Sequence, residues 1–135
     1  MKISFLDFWP GFEPKNNFFY HSIKQLGLNY KVVSPRRADI IFFSCFGKEN
    51  LKYDNCKKIL FLGENLDLKQ YNFDYSITHH LLNEKTPSHF RLPLWKTYID
   101  WFNVKTYTNP KYLIPLNYID QQNEFNLANK NKFCT

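Results

Sequence analysis

Two stretches of the chain carry apolar residues without alternation, Ile40–Phe43 and Ile59–Leu62. A strand solvated on one face alternates polar and apolar positions; a run that does not alternate suits a strand covered on both faces, as in a parallel sheet. The first run belongs to a strand over Asp39–Phe43 that ends in Ser44-Cys45-Phe46-Gly47. The second ends in Gly63-Glu64-Asn65. Ahead of them, Ile3, Phe5, Leu6 and Phe8 predict a first strand over Lys2–Trp9, closed by a Trp-Pro-Gly turn at 9–11. Phe19, Ile23 and Leu26 fall at i, i+4 and i+7. That spacing predicts a helix capped by Asn16 or Asn17 and stopped by Gly27 in the C′ position.

Tyr30–Val33 predicts a short second strand broken by Pro35, and Phe73–Thr78 predicts a fifth. Next come His79-His80, a loop with Pro87, the segment Arg91-Leu92-Pro93-Leu94-Trp95, and a short helix over Thr97–Phe102. From Asn103 the chain turns polar and asparagine-rich, with Pro110 and Pro115, and the pattern supports only a helix near Leu116–Gln122. There are no internal repeats. Strand, helix, strand, strand, strand with buried runs predicts an α/β fold, a Rossmann-like, mostly parallel sheet flanked by helices. At 135 residues this is a single domain over 1–135, long enough to bury a core.

Composition changes this picture in three places. Aromatics reach 19%, from 14 Phe, 9 Tyr and 3 Trp, and such rings either fill cores or stack on sugars and bases. The net charge of +6 suits an anionic partner, but the lysines are scattered apart from pairs such as Arg36-Arg37 and Lys57-Lys58. Without a basic run or stripe, nucleic acid is not the expected partner. The 3 cysteines, Cys45, Cys56 and Cys134, are odd in number and lack zinc spacing, which reads as reduced intracellular thiols and a cytoplasmic chain. The apolar start is interrupted by Asp7 and Pro10, so it is no signal peptide, and no segment is long enough for a transmembrane span.

Ligands of open α/β sheets sit beyond the carboxyl ends of the strands, and Glu64 stands at such an end. Its carboxylate is either a general base or a helix-capping or solvated group. Asn65 either fixes a substrate hydroxyl or tolerates a turn. Trp9 stacks on a sugar or lies in the core or its rim; Arg91 neutralises an anion or holds its loop through backbone carbonyls. His79 and His80 are adjacent, so on a strand they would point to opposite faces and make a poor ligand pair, and no metal site is expected. With no Asp-x-Asp, no glycine-rich phosphate loop and no nucleophile elbow, the chain offers nucleotide phosphates no recognisable cradle.

The patches ADIIFFSCFG (38–47), KKILFLGEN (57–65), FDYSITHH (73–80) and RLPLW (91–95), with the opening KISFLDFW (2–9) and the closing NKFCT (131–135), resemble the N-terminal half of bacterial and viral α1,3-fucosyltransferases. The resemblance implies one Rossmann-like half of a GT-B glycosyltransferase, the acceptor-binding half. The family's base, the glutamate of its Gly-Glu-Asn motif, falls on Glu64. Trp9, Phe46, Asn65 and Arg91 would line or support the acceptor cleft. The complete enzyme would transfer fucose with inversion from GDP-fucose to a hydroxyl of an N-acetylglucosamine- or glucose-containing glycan. The family's donor-binding motifs lie beyond residue 135, so the chain is expected to be truncated, split or excised. It should bind no cofactor alone, need a C-terminal donor domain or partner chain, and be inactive by itself. Thr78-His79-His80 departs from the family's usual residues there. A different class of reading, a non-catalytic Rossmann-like module that binds glycans or a protein, also fits, as more weakly does a binder of anionic polymers.

Overall fold

The structure, a computed structural model, describes residues 1–81 and 88–120. Six strands form one sheet: β1 (Lys2–Leu6), β2 (Lys31–Val32), β3 (Ile40–Phe43), β4 (Lys57–Leu62), β5 (Tyr75–Thr78) and β6 (His89–Arg91). They run in the order β2-β1-β3-β4-β5-β6, and each neighbouring pair is parallel. This is the doubly-wound, Rossmann-like arrangement that the buried runs imply.

The unalternating strands are covered on both faces. On one face Phe5, Phe42 and Ile59 lie in register and pack with Ile3, Phe19, Phe61 and Leu92. On the other, Leu6, Phe43 and Leu60 lie in register and pack with Ile41 and Leu62. Burying side chains of this size stabilises by about 1.5–3 kcal/mol each before entropy is set against it.

The first crossover is α1 (Phe18–Gln25). Asn17 caps it, accepting from Tyr20 N at 2.9 Å while its own amide donates to Glu13 O at 2.7 Å. Phe19 faces the core and Ile23 packs against it, but Leu26, placed on that face by its spacing, is 71% exposed. Leu26 is the C-cap, where the helix has already ended, and Gly27 follows with φ +67 as a stop residue should. The crossovers β3–β4 and β4–β5 use 3-10 turns at Glu49–Lys52 and Leu68–Gln70 instead of α-helices.

Two boundaries depart from the sequence expectation. β1 stops at Leu6, not Trp9, because Asp7 takes φ 57 and turns the chain out of the sheet. Thr97–Phe102 is not a helix. A 3-10 turn covers Leu94–Tyr98, and β7 (Ile99–Asp100) pairs with β8 (Ile114–Pro115). Ile99 is 2% exposed, so tertiary burial overrides the local pattern. A short helix α2 spans Asn117–Asp120; the rest of the expected 116–122 helix, the Pro87 loop, Cys134 and the NKFCT patch lie outside the described residues. Among the described residues no helix is long and apolar enough to cross a membrane.

Candidate functional site

In the sheet, β2 and β3 flank β1, so the connection leaving β1 runs to one side and that leaving β3 to the other, which opens a crevice at the carboxyl ends of β1 and β3. A cavity of about 250 Å³ lies there. Trp9 enters it from the chain after β1, Ser44 and Phe46 from the loop after β3, and Phe61, Gly63 and Glu64 from the end of β4. Leu94, Thr97 and Tyr98 of the 3-10 turn, with Asn109 and Pro110, close the far wall.

Trp9 is half-buried in an aromatic nest. Its ring lies 5.2 Å from Phe12, 5.4 Å from Phe8, 6.3 Å from Phe61 and 6.4 Å from Phe46, all edge to face. Its indole nitrogen is buried without a hydrogen-bond partner among the described residues. Thus part of the high aromatic content packs in and around the core, and one edge of that core forms a wall of the cavity. Phe46 is the outer part of the wall, 49% exposed.

Glu64 is exposed at the cavity's rim. Its backbone is held rather than its side chain: Leu66 N donates to Glu64 O at 2.9 Å, and His80 Nε2 reaches the same oxygen at 3.5 Å. Beside it the Cys45 thiol is pushed up from its usual pKa, first by burial and in smaller part by the Glu64 charge, against hydrogen bonding from Ser44. A shift in that direction disfavours the thiolate, the nucleophilic form. The cavity thus has an acidic residue on a rim shared with aromatic walls, residue types that can accept a proton and stack on a ring.

The cavity therefore gathers Trp9, Phe46 and Glu64, three of the five residues singled out from sequence. Asn65 is exposed outside its lining. Arg91, at the end of β6, donates from Nε to His79 O at 3.3 Å. Ser44 and Leu94 fall in patches noted from the sequence but were not singled out, and Thr97, Tyr98, Asn109 and Pro110 had no sequence signal, because a 3-10 turn and irregular backbone bring them here. His79 and His80 follow β5 with ring centroids 4.5 Å apart; among the described residues, no three His, Cys, Asp or Glu side chains gather as a metal site.

A larger cleft, about 750 Å³, opens at the opposite end of the sheet between Asp39, Lys57, Lys58 and Asp74. Its charges are matched internally, Lys57 with Asp74 at 2.7 Å and Lys58 with Asp54 at 2.9 Å. It also sits at the amino ends of the strands, where open α/β sheets do not bind ligands. The smaller cavity is the candidate site.

The family described as alpha-(1,3)-fucosyltransferase FucT N-terminal domain matches residues 3–98. A crystal structure of an alpha1,3-fucosyltransferase superposes with a TM-score of 0.54 at 23% identity, over 72% of this chain and 29% of that one. Another, of an alpha1,3-fucosyltransferase with GDP-fucose, gives 0.51 at 24% identity, over 72% of this chain and 27% of that one. At these identities the likeness is one of fold, and the chain corresponds to less than a third of either relative. No curated protein matches the chain.

Proposed function

The chain belongs to the alpha-(1,3)-fucosyltransferase FucT N-terminal domain family, and from that premise we propose that it is the acceptor-binding half of a GT-B fucosyltransferase. The observation that carries the reading is the position of Glu64: at the end of β4, on the rim of a cavity it shares with Trp9 and Phe46. Trp9 and Phe46 stack on the acceptor sugar, and Glu64 takes the proton from its attacking hydroxyl.

The freed oxygen forms a bond to the fucose anomeric carbon as the bond from that carbon to the diphosphate breaks. GDP leaves with the electron pair and the configuration inverts. The transition state resembles an oxocarbenium ion, so positive charge must face the departing diphosphate. In this reading GDP-fucose is held by polypeptide outside these 135 residues, which bind the acceptor and do not turn over alone. The missing phosphate loop and the fraction of each relative that the chain spans support that division. Asn65 and Arg91 then support the loops that flank the cleft. The free, half-buried thiols of Cys45 and Cys56 suit a cytoplasmic setting.

Titrating the chain with N-acetyllactosamine and, separately, with GDP-fucose tests the reading. It requires saturable binding of the first and none of the second. Saturable GDP-fucose binding by residues 1–135 contradicts it.

A further inference from the structure

Phe46 is half-exposed, and its one aromatic neighbour among the described residues is Trp9. So exposed a ring gains little fixation from packing; its place is set by the backbone that carries it. That backbone is tied to Asp7. Phe46 N donates to Asp7 O at 3.0 Å. Three residues on, the Asp7 carboxylate takes up the start of the 3-10 turn: Oδ1 accepts from Glu49 N at 3.0 Å, and Oδ2 from Asn50 N at 2.9 Å and Asn50 Nδ2 at 2.8 Å. Asn50 is itself 4% exposed, so its two donors are withdrawn from water and need that acceptor, while the Glu49 amide lies at the surface.

Two further features show that the chain is arranged around this carboxylate. Asp7 holds φ 57, a left-handed conformation that a side chain makes unfavourable and that persists where surrounding contacts impose it. Between the two anchor points stands Gly47, where an added Cβ would lie 2.4 Å from Asp7 Oδ1 and 3.1 Å from its Cγ. A side chain there would occupy the carboxylate's place.

We propose that Asp7 is a positioning residue for the acceptor cleft: it clamps the loop after β3 to the end of β1 and thereby sets the Phe46 wall against Trp9. It does not touch the acceptor. Its effect on acceptor binding rests on the function proposed above; the clamp itself does not. A carboxylate is required because its two oxygens meet three N–H donors, whereas an asparagine offers one oxygen and turns an NH2 group towards donors.

Amide hydrogen exchange on the chain, with N-acetyllactosamine titration beside it, tests the proposal in three variants. Asp7→Gly keeps φ 57 accessible and removes the carboxylate, at the cost of a freer backbone at that residue. It should speed exchange at Glu49 and Asn50, whose amides the carboxylate accepts, by roughly tenfold or more, leave Ile3, Phe42 and Leu60 protected, and weaken lactosamine binding about tenfold. Asp7→Asn, with one acceptor oxygen left, should fall between that variant and the native chain in both readouts. Gly47→Ala should displace the carboxylate without deleting it and expose the same amides, which keeps the test available if Asp7→Gly does not fold.

Unchanged protection in Asp7→Gly, or in Gly47→Ala where the former is unfolded, overturns the clamp. Faster exchange with undiminished lactosamine affinity overturns the positioning role. If the native chain binds no lactosamine, the acceptor reading fails, and the clamp is decided by exchange alone.

Discussion

Trp9 and Phe46 leave the sheet from different strands and meet edge to face, their planes at 85° and their centroids 6.4 Å apart. One ring is rooted in the core and the other stands half in solvent, so the pair joins the stability of the sheet to the surface of the cleft. Replacing Trp9 should separate the two roles. Trp9→Ala removes a ring with four aromatic neighbours and should destabilise by about 2–4 kcal/mol and abolish lactosamine binding. Trp9→Phe should cost less than about 1.5 kcal/mol in urea unfolding yet weaken the acceptor several-fold. Unchanged affinity in Trp9→Phe would make Trp9 a core residue only.

Gly63 stands one residue before Glu64, and an added Cβ there would meet Leu94 Cδ2 at 3.1 Å and the Phe61 ring at 3.7 Å. Leu94 is on the far wall of the cavity. Gly63→Ala should shift Leu94 by a few tenths of an ångström, with a stability change within about 1 kcal/mol. Gly63→Val should cost about 1–3 kcal/mol and crowd the cavity, so that acceptor affinity falls from alanine to valine. Equal affinity in the two variants would place the acceptor elsewhere.

Stability should fall in two acid steps. His21 has its pKa lowered, first by burial and then by Lys24, with Asp100 opposing. The folded state therefore prefers the neutral ring. Its contribution is complete above the unfolded value near 6.5 and is lost as pH falls below it towards the folded pKa. Asp74 has its pKa lowered by hydrogen bonds from Lys57 and from the Lys58 amide. Its contribution is complete above the ordinary carboxylate value of 3.8 and disappears as pH falls through the lower folded one. Chemical unfolding across pH should show both limbs; His21→Phe should flatten the upper and Asp74→Asn the lower. A variant that leaves its own limb unchanged would refute that assignment.

The sheet was legible where its physics is local. The runs at Ile40–Phe43 and Ile59–Leu62 announce strands covered on both faces, and Asn17 and Gly27 mark the ends of α1. The sixth strand, His89–Arg91, was not legible: it is an edge strand of three residues with Phe90 62% exposed, so it carries no buried pattern. Leu26 and the Thr97–Phe102 segment misled because spacing alone cannot see a cap or a partner such as Ile114. In the cleft, Trp9, Phe46 and Glu64 follow strands and could be anticipated from strand ends. Tyr98, Asn109 and Asp7 owe their places to turns and long-range hydrogen bonds, which leave no period in the chain.

The central claim is that Glu64 is the base. Its most direct test is turnover of Glu64→Gln in a polypeptide that carries residues 1–135 together with a donor-binding half, with GDP-fucose and N-acetyllactosamine as substrates. Loss of general-base assistance should lower the rate about 10²–10⁴-fold while acceptor affinity and the unfolding midpoint stay near native. Turnover at the native rate would contradict the account.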